Sequence, residues 1–389
     1  MPETADKKAK TTIDFNAEKL QSEVIDFLRF PIIIGVLLAH NFGSTVHIAS
    51  GQLGNDAWPP LLTLCNDFFS LTVGRLPPPL FFFISGFLFF LHCEKFTAET
   101  WLKKLKSRAR TLLVPYLFWN ILTVAVMYIA WHIPTFSLFF SESHDITWQY
   151  PLRALWALPN EQEIPRYPIA YQFWFIRDLM VMIVLSPILY YLVKKFRFYG
   201  VALLGLLWFY EWWQAWLPWL AGHGMSSDAL FFFTVGAWFA LNKRNIVEDA
   251  ERVANIIFIL YPLLALADVC TKLHIPGVQH VYLPFVHHSG ILLGIAASFA
   301  LTAYLLRTGK ARLNPFLSSA SFFVLAAHEP LFLSKLRKIV FVIFQPQSDL
   351  ALTINYFLLV IVVVAVLLGL YWLLRRVLPG FTRVITGGR

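Results

Sequence analysis

The chain has 389 residues, of which 58% are hydrophobic and only 14% charged, with a mean hydropathy of +0.61. So little charge excludes an ordinary soluble globular domain. A formal charge of +9 would suggest nucleic-acid binding in a soluble protein, but here Lys and Arg flank apolar blocks, where topology and lipid contact explain them better.

Blocks such as "IVVVAVLLGL" do not alternate, which excludes a β-barrel. They are long enough to cross a hydrocarbon layer of about 30 Å, which needs about 20 helical residues. The expected fold is therefore all-α, a polytopic integral membrane bundle of about ten transmembrane helices. Residues 1–23 are polar and lack a signal-peptide pattern, so they read as a cytosolic tail. The spans fall near 24–44, 77–93, 111–131, 172–193, 199–217, 228–242, 252–269, 287–306, 315–333 and 353–374. Pro77, Pro78 and Pro79 either kink the second helix or begin it after a broken lead-in from Leu61. Residues 24–374 thus form one transmembrane domain, and 375–389 a second cytosolic tail.

Basic residues precede the first span and follow the second, fourth, sixth, eighth and tenth, which places that side in the cytosol. Lys335, Arg337 and Lys338, after the ninth span, break the rule. Segment 94–110 reads as an interfacial helix, with Phe96, Trp101, Leu102 and Leu105 toward lipid and its basic residues toward headgroups or an anionic ligand. The longest outer loop, about 132–171, mixes Trp148, Trp156 and Tyr167 with Glu142, Asp145, Glu161 and Glu163, and is long enough to cover a pocket or hold an acceptor. Its prolines argue against a folded domain. Cys65, Cys93 and Cys270 give neither a disulfide framework nor a metal spacing.

Ionisable groups inside a membrane span are costly and belong against the bundle interior. At 100° per residue, positions eleven apart differ by about 20° beyond three turns, so Arg29 and His40 share a face, about 16 Å apart along the axis. Asp26 lies one turn before Arg29 and can pair with it. With the N-terminus inside, Arg29 is near the cytosolic surface and His40 in the outer half. Arg75, just ahead of the second span, falls at the depth of His40. So do Arg177 and Asp178, early in the fourth, and His328 and Glu329, late in the ninth. The agreement suggests a polar chamber in the outer half, open toward Arg29.

Each residue also has a plainer reading. A buried imidazole can be satisfied by a backbone carbonyl. Arg177 and Asp178 can be a structural pair, although adjacent helical residues do not face each other, so each would need another partner. Glu329 can orient a neighbour or cap a helix before Pro330. Glu211, His287 and His288 read as interfacial, and the histidines are not expected to bind metal. A neutral His is the best available base near pH 7, Arg29 suits a phosphorylated donor, and a further donor group near the carbonyl would steady an oxyanion. These types fit acyl transfer, but they equally allow a proton-coupled transporter of a small anion or glycan intermediate, or a structural membrane subunit.

With these residues in view, the chain resembles the membrane acyltransferase 3 family. It has an Arg-x10-His pattern at Arg29 and His40 within "DFLRFPIIIGVLLAH", then "RLPPPLFFFISGFLFF" with Arg75, Phe82, Ser85, Gly86 and Phe87. "RTLLVPYLFW", "FWFIRDL", "FFFTVGAWF" around Gly236 and "SFFVLAAHEPLF" around His328 follow in order. The resemblance implies O-acylation, often O-acetylation, of an extracytoplasmic sugar or glycan by a cytosolic acyl-CoA at a bacterial inner membrane. His40 is then the catalytic residue and Arg29 and Arg75 bind the donor, with Asp26, Arg177, Asp178, His328 and Glu329 as possible support. The implied partners are acyl-CoA, a glycan or lipid-linked sugar acceptor and membrane lipids, with no nucleic acid, bound cofactor or metal. Phe30, where members commonly have Gly, and the run of three prolines depart from the pattern and bear on the shape of the donor site and on acyl preference. No esterase-like domain is expected after the tenth span.

Overall fold

The computed structural model describes residues 3–48, 51–54, 59–93, 95–137, 151–159, 165–272 and 279–388. Glu142, Asp145, Trp148, Glu161 and Glu163 of the expected outer loop lie outside these residues.

The first helix, α1 (Glu3–His40), is continuous through Pro31 and takes in most of the segment expected as a tail. Val24, Ile25, Leu28, Ile32, Ile33, Val36 and Leu37 are buried, and their three- and four-residue spacing packs one stripe into the core. A short hairpin follows, β1 (Thr45–Ile48) against β2 (Gly51–Gly54). The lead-in to the second span is broken: α2 (Pro60–Cys65), a π turn over Asn66–Ser70 and a 3-10 turn over Val73–Arg75. The three prolines then open α3 (Pro77–Phe90) rather than kinking it. Proline fits a first helical turn because its missing N–H would lack an intrahelical partner there in any case.

Helix α4 (Ala98–Arg108) is capped by Thr97 and runs through a π turn, Ala109–Leu113, into α5 (Val114–His132). It does not present its apolar residues to lipid as expected. Trp101 donates its indole N–H to Ile183 O at 3.2 Å, Phe96 packs on Phe90 and Tyr190, and Leu105 joins the core, while Leu102 stays exposed. The Lys104 ammonium donates to Phe89 O, so protein covers most of that face.

Short elements follow: α6 (Pro134–Ser137), α7 (Pro151–Trp156), and β3 (Leu158–Pro159) paired with β4 (Pro165–Tyr167). Helices α8 (Trp174–Val184) and α9 (Ser186–Phe209) are bent by 64° at their junction, and α9 kinks again at Arg197, φ 51°. The expected straight span at 172–193 is therefore broken at Leu185. The expected fifth span ends at Phe209, and 210–217 is not part of it but holds α10 (Trp212–Trp216). Beyond lie α11 (Pro218–Gly222), α12 (Ser227–Leu241), α13 (Ile246–Arg252), α14 (Ala254–Lys272) and α15 (Gln279–Arg307). The chain continues through α16 (Pro315–Ala327), α17 (Leu333–Phe344), α18 (Asp349–Val377) and α19 (Pro379–Ile385).

Five helical stretches among the described residues are long and apolar enough to cross a membrane, or six if the bent α8–α9 pair counts as one span; α12 and α16 are shorter apolar helices. The expected count of about ten is thus not confirmed, while the all-α membrane architecture is, with two small hairpins added. On α14 and α18 large side chains at three- and four-residue spacing, Ile256, Ile259, Leu263 and Leu266, and Ile354, Leu358 and Ile361, are exposed. Such stripes suit contact with lipid.

At the centre α3 and α12 run side by side in the same direction. Both N-termini border one cavity and both C-termini another. They cross where Gly86 meets the Phe233 backbone and Gly236 meets that of Phe83; a Cβ at either glycine would overlap the opposing carbonyl oxygen. Helix α1 runs alongside. Gln21 accepts the Ile246 N–H at 2.7 Å near one end, and a Cβ at Gly35 would sit 2.9 Å from Pro77 Cγ toward the other. The nineteen steps along α1 from Gln21 to His40 rise about 28 Å, close to the thickness of a bilayer core.

Candidate active site

The His40 ring, at the last position of α1, is half-buried. The His328 ring stands edge-on to it with centroids 5.3 Å apart, and Tyr171 lies 5.0 Å away on a tilted plane. Arg75, in the turn before α3, is within electrostatic reach of His40. Arg75 is exposed and has no ion pair to another described residue. Four groups far apart in the chain thus converge at one end of α1.

His328 is fully buried just after α16, and its Nδ1 lies 2.7 Å from Leu325 O. A carbonyl only accepts, so Nδ1 carries the hydrogen and the neutral ring keeps a lone pair on Nε2. That Nε2 is buried with no hydrogen-bond partner among the described residues. A buried acceptor beside His40 suits a proton donor arriving during a reaction. Glu329 accepts from the Ser334 hydroxyl at 2.8 Å, and Gln172 donates to Ala326 O at 2.9 Å and to Glu329 O. Gln172 therefore ties the strand of chain carrying His328 to the turn carrying Tyr171.

The cations that break the charge rule have a local purpose. Arg337 donates to the carbonyls of Phe42, Gly43 and Thr45, fastening the chain that leaves His40. Lys335 and Lys338 are buried.

Arg29 pairs with Asp26 Oδ1 at 3.1 Å, both side chains about one-third exposed. Arg108, at the end of α4, is within electrostatic reach of Arg29. The resulting pair of guanidiniums on the basic side is suited to an anion with more than one negative oxygen. A separate cavity of about 540 Å³ lies at the C-terminal ends of α3 and α12, lined in part by Gln21, His92, Lys243 and Arg244; Arg29 does not line it.

Arg177 and Asp178 are both buried, and the structure corrects the expectation that adjacent residues need separate partners. Arg177 Nε and Nη2 donate to Asp178 Oδ1 at 3.0 and 2.8 Å, while Nη1 donates to Trp156 O and Arg166 O at 3.1 and 3.0 Å. A long guanidinium can fold back where a shorter side chain cannot. This pair pins the described parts of the outer loop, which are folded: Tyr116 adds a 2.6 Å bond to Leu155 O. None of these contacts reaches His40. His287 and His288 lie inside α15 rather than at its start. His287 Nδ1 is 3.2 Å from Asp268 Oδ2, and His288 Nδ1 is 2.9 Å from Phe209 O. No metal-binding cluster occurs among the described residues.

Tyr171 and Gln172 were not singled out from the sequence. Their only signal was adjacency to "FWFIRDL", since a polar aromatic at a span's end is commonplace.

Comparison with known proteins adds an independent line. The chain is 27% identical over 373 residues to a succinoglycan biosynthesis protein, ExoH, of Rhizobium meliloti (strain 1021), covering 94% of this chain and 92% of that relative. No solved structure matches. The family model described as an acyltransferase domain matches residues 23–375, from before Asp26 to beyond the last apolar block, and the chain belongs to that acyltransferase family.

Proposed function

We propose that this protein transfers an acyl group, in the first instance acetyl, from cytosolic acyl-CoA to a hydroxyl of an extracytoplasmic glycan or lipid-linked sugar at a bacterial inner membrane, with both termini in the cytosol. The observation that carries the reading is the half-buried His40 ring against a buried His328 Nε2 with no hydrogen-bond partner among the described residues. The relative's role in succinoglycan biosynthesis supports a polysaccharide acceptor.

In this mechanism Arg29, joined by Arg108, attracts the phosphates of the donor on the cytosolic side, and Asp26 holds the Arg29 guanidinium in place. The acyl thioester reaches about 16 Å along α1 to His40. His40 removes the proton of the acceptor hydroxyl as its oxygen attacks the thioester carbonyl. The Arg75 cation meets the developing oxyanion. Collapse breaks the carbon–sulfur bond, and the imidazolium returns its proton to the leaving thiolate, giving the ester and free CoA. His328 Nε2 is placed to accept the N–H that His40 turns toward it while positively charged. Gln172, through Glu329, and Arg337 keep the two histidine-bearing segments in register.

The test is transfer of labelled acetyl from acetyl-CoA to extracted surface polysaccharide by the purified protein. Wild type is expected to form an alkali-labile ester. His40→Ala is expected to lose at least about 100-fold of that rate, in line with removal of a general base, while keeping its fold. Full activity in His40→Ala would overturn the mechanism. Passage of substrate across sealed vesicles without any ester would identify a transporter instead.

A further inference from the structure

At the His40 end of the bundle lies a cavity of about 560 Å³ between the N-termini of α3 and α12, α10 and α15. Its walls include Arg75, Trp174, Glu211, Gln214, Asp228 and His287. We propose that this cavity binds a sugar unit of the acceptor, presenting its hydroxyl to His40 across Arg75; the proposal rests on the acyltransferase reading above and names where its second substrate sits.

The size falls within the roughly 300–1,000 Å³ of small-molecule sites. The position follows from packing. A Cβ at Gly74 would stand 3.0 Å from Ala39 Cβ, so the turn carrying Arg75 lies against the last residues of α1. Arg75 is shared: it lines the cavity and acts electrostatically on His40.

The chemistry of the wall is that of a polyhydroxyl ligand. Gln214 Oε1 accepts the Ser227 hydroxyl, which leaves its amide N–H groups as donors. Asp268 Oδ2 takes the His287 Nδ1 hydrogen at 3.2 Å, so the neutral ring offers a lone pair at Nε2. Asp228 is held by the Trp208 indole N–H at 2.6 Å, and the Glu211 carboxylate is exposed. Donors at Arg75 and Gln214 thus share the wall with acceptors at Glu211, Asp228 and His287. Each sugar hydroxyl both donates and accepts, and satisfies such a wall as few other groups do. The half-buried Trp174 gives a flat apolar surface for a ring's C–H face. The two carboxylates offset the Arg75 and Lys272 cations in the lining, so the wall has no positive excess to draw the donor's phosphates.

The experiment uses the full chain in nanodiscs and, as probe, oligosaccharides cut from the O-deacylated exopolysaccharide of the producing cells. Direct binding of the probe and acetyl-transfer kinetics are measured for wild type, Glu211→Gln and Gln214→Leu. Each variant is expected to weaken probe binding and raise the acceptor KM about tenfold or more, with kcat at saturation within about twofold and acetyl-CoA affinity unchanged. That split separates recognition from a general loss of structure, which would lower donor affinity as well. Unchanged probe binding and KM in both variants, or no probe binding by wild type, overturns the site. Wild type that binds the probe through Glu211 and Gln214 but forms no ester removes the acyltransferase reading and leaves the sugar site standing.

Discussion

Gly86→Ala places a methyl group where α3 and α12 cross. The added Cβ would overlap the Phe233 carbonyl oxygen and lie 2.8 and 2.9 Å from the Phe233 carbonyl carbon and Cα, against about 3.5–4.0 Å for carbon atoms in contact. The obstacle is backbone, so no rotamer change removes it and the helices must part by about an ångström or more. Overpacking of this kind costs about 1–3 kcal/mol. The top of that range applies here, offset by up to about 1 kcal/mol because Ala favours a helix over Gly. The net expectation is a loss of about 2 kcal/mol. It is read from denaturant unfolding of the detergent-solubilised protein by tryptophan fluorescence, against Gly369→Ala, where nothing lies within 4 Å of the new Cβ and a gain of about 0.5–1 kcal/mol is expected. Gly236→Ala should lose as much as Gly86→Ala. The double variant should lose less than the sum, because one separation relieves both overlaps. Wild-type stability in Gly86→Ala, or strict additivity, would refute the tight crossing.

Arg29→Ala should weaken acetyl-CoA binding about 10- to 100-fold, the worth of a charge-assisted bond, and leave acceptor binding alone; isothermal titration with each ligand decides it. Arg177→Met strands Asp178 without its cation and frees the carbonyls of Trp156 and Arg166. A destabilisation of about 3–5 kcal/mol follows from breaking a buried pair, seen as a lower melting temperature with early proteolysis within 151–170, and a variant as stable as wild type would contradict the pinning role.

Counting an expected depth along each span groups His40, His328 and Arg75, which do come together. The same count grouped Arg177 and Asp178, whose contacts lead to the outer loop instead. Depth is one coordinate of three, and the partners of Arg177 are carbonyls, which every residue possesses and no sequence advertises. Gly86 and Gly236 were visible only as parts of a family-like pattern. Their reason is a crossing between segments about 150 positions apart. The break at Leu185 and the kink at Arg197 escaped because hydropathy records where a chain is apolar and not which way it points. Arg337 misled the charge rule because it serves the Phe42–Thr45 carbonyls rather than topology.

Arg29 and His40 ride on a single uninterrupted rod, so no loop motion adjusts the interval between them. Under the proposed mechanism it would act as a gauge: a donor held at Arg29 has a fixed length to span to reach His40. Inserting one residue between them would lengthen the gauge by only about 1.5 Å yet swing the imidazole by about 100°. On that reading, a change of donor preference is easier through substitution of side chains along the rod, such as Phe30, than through a change in its length.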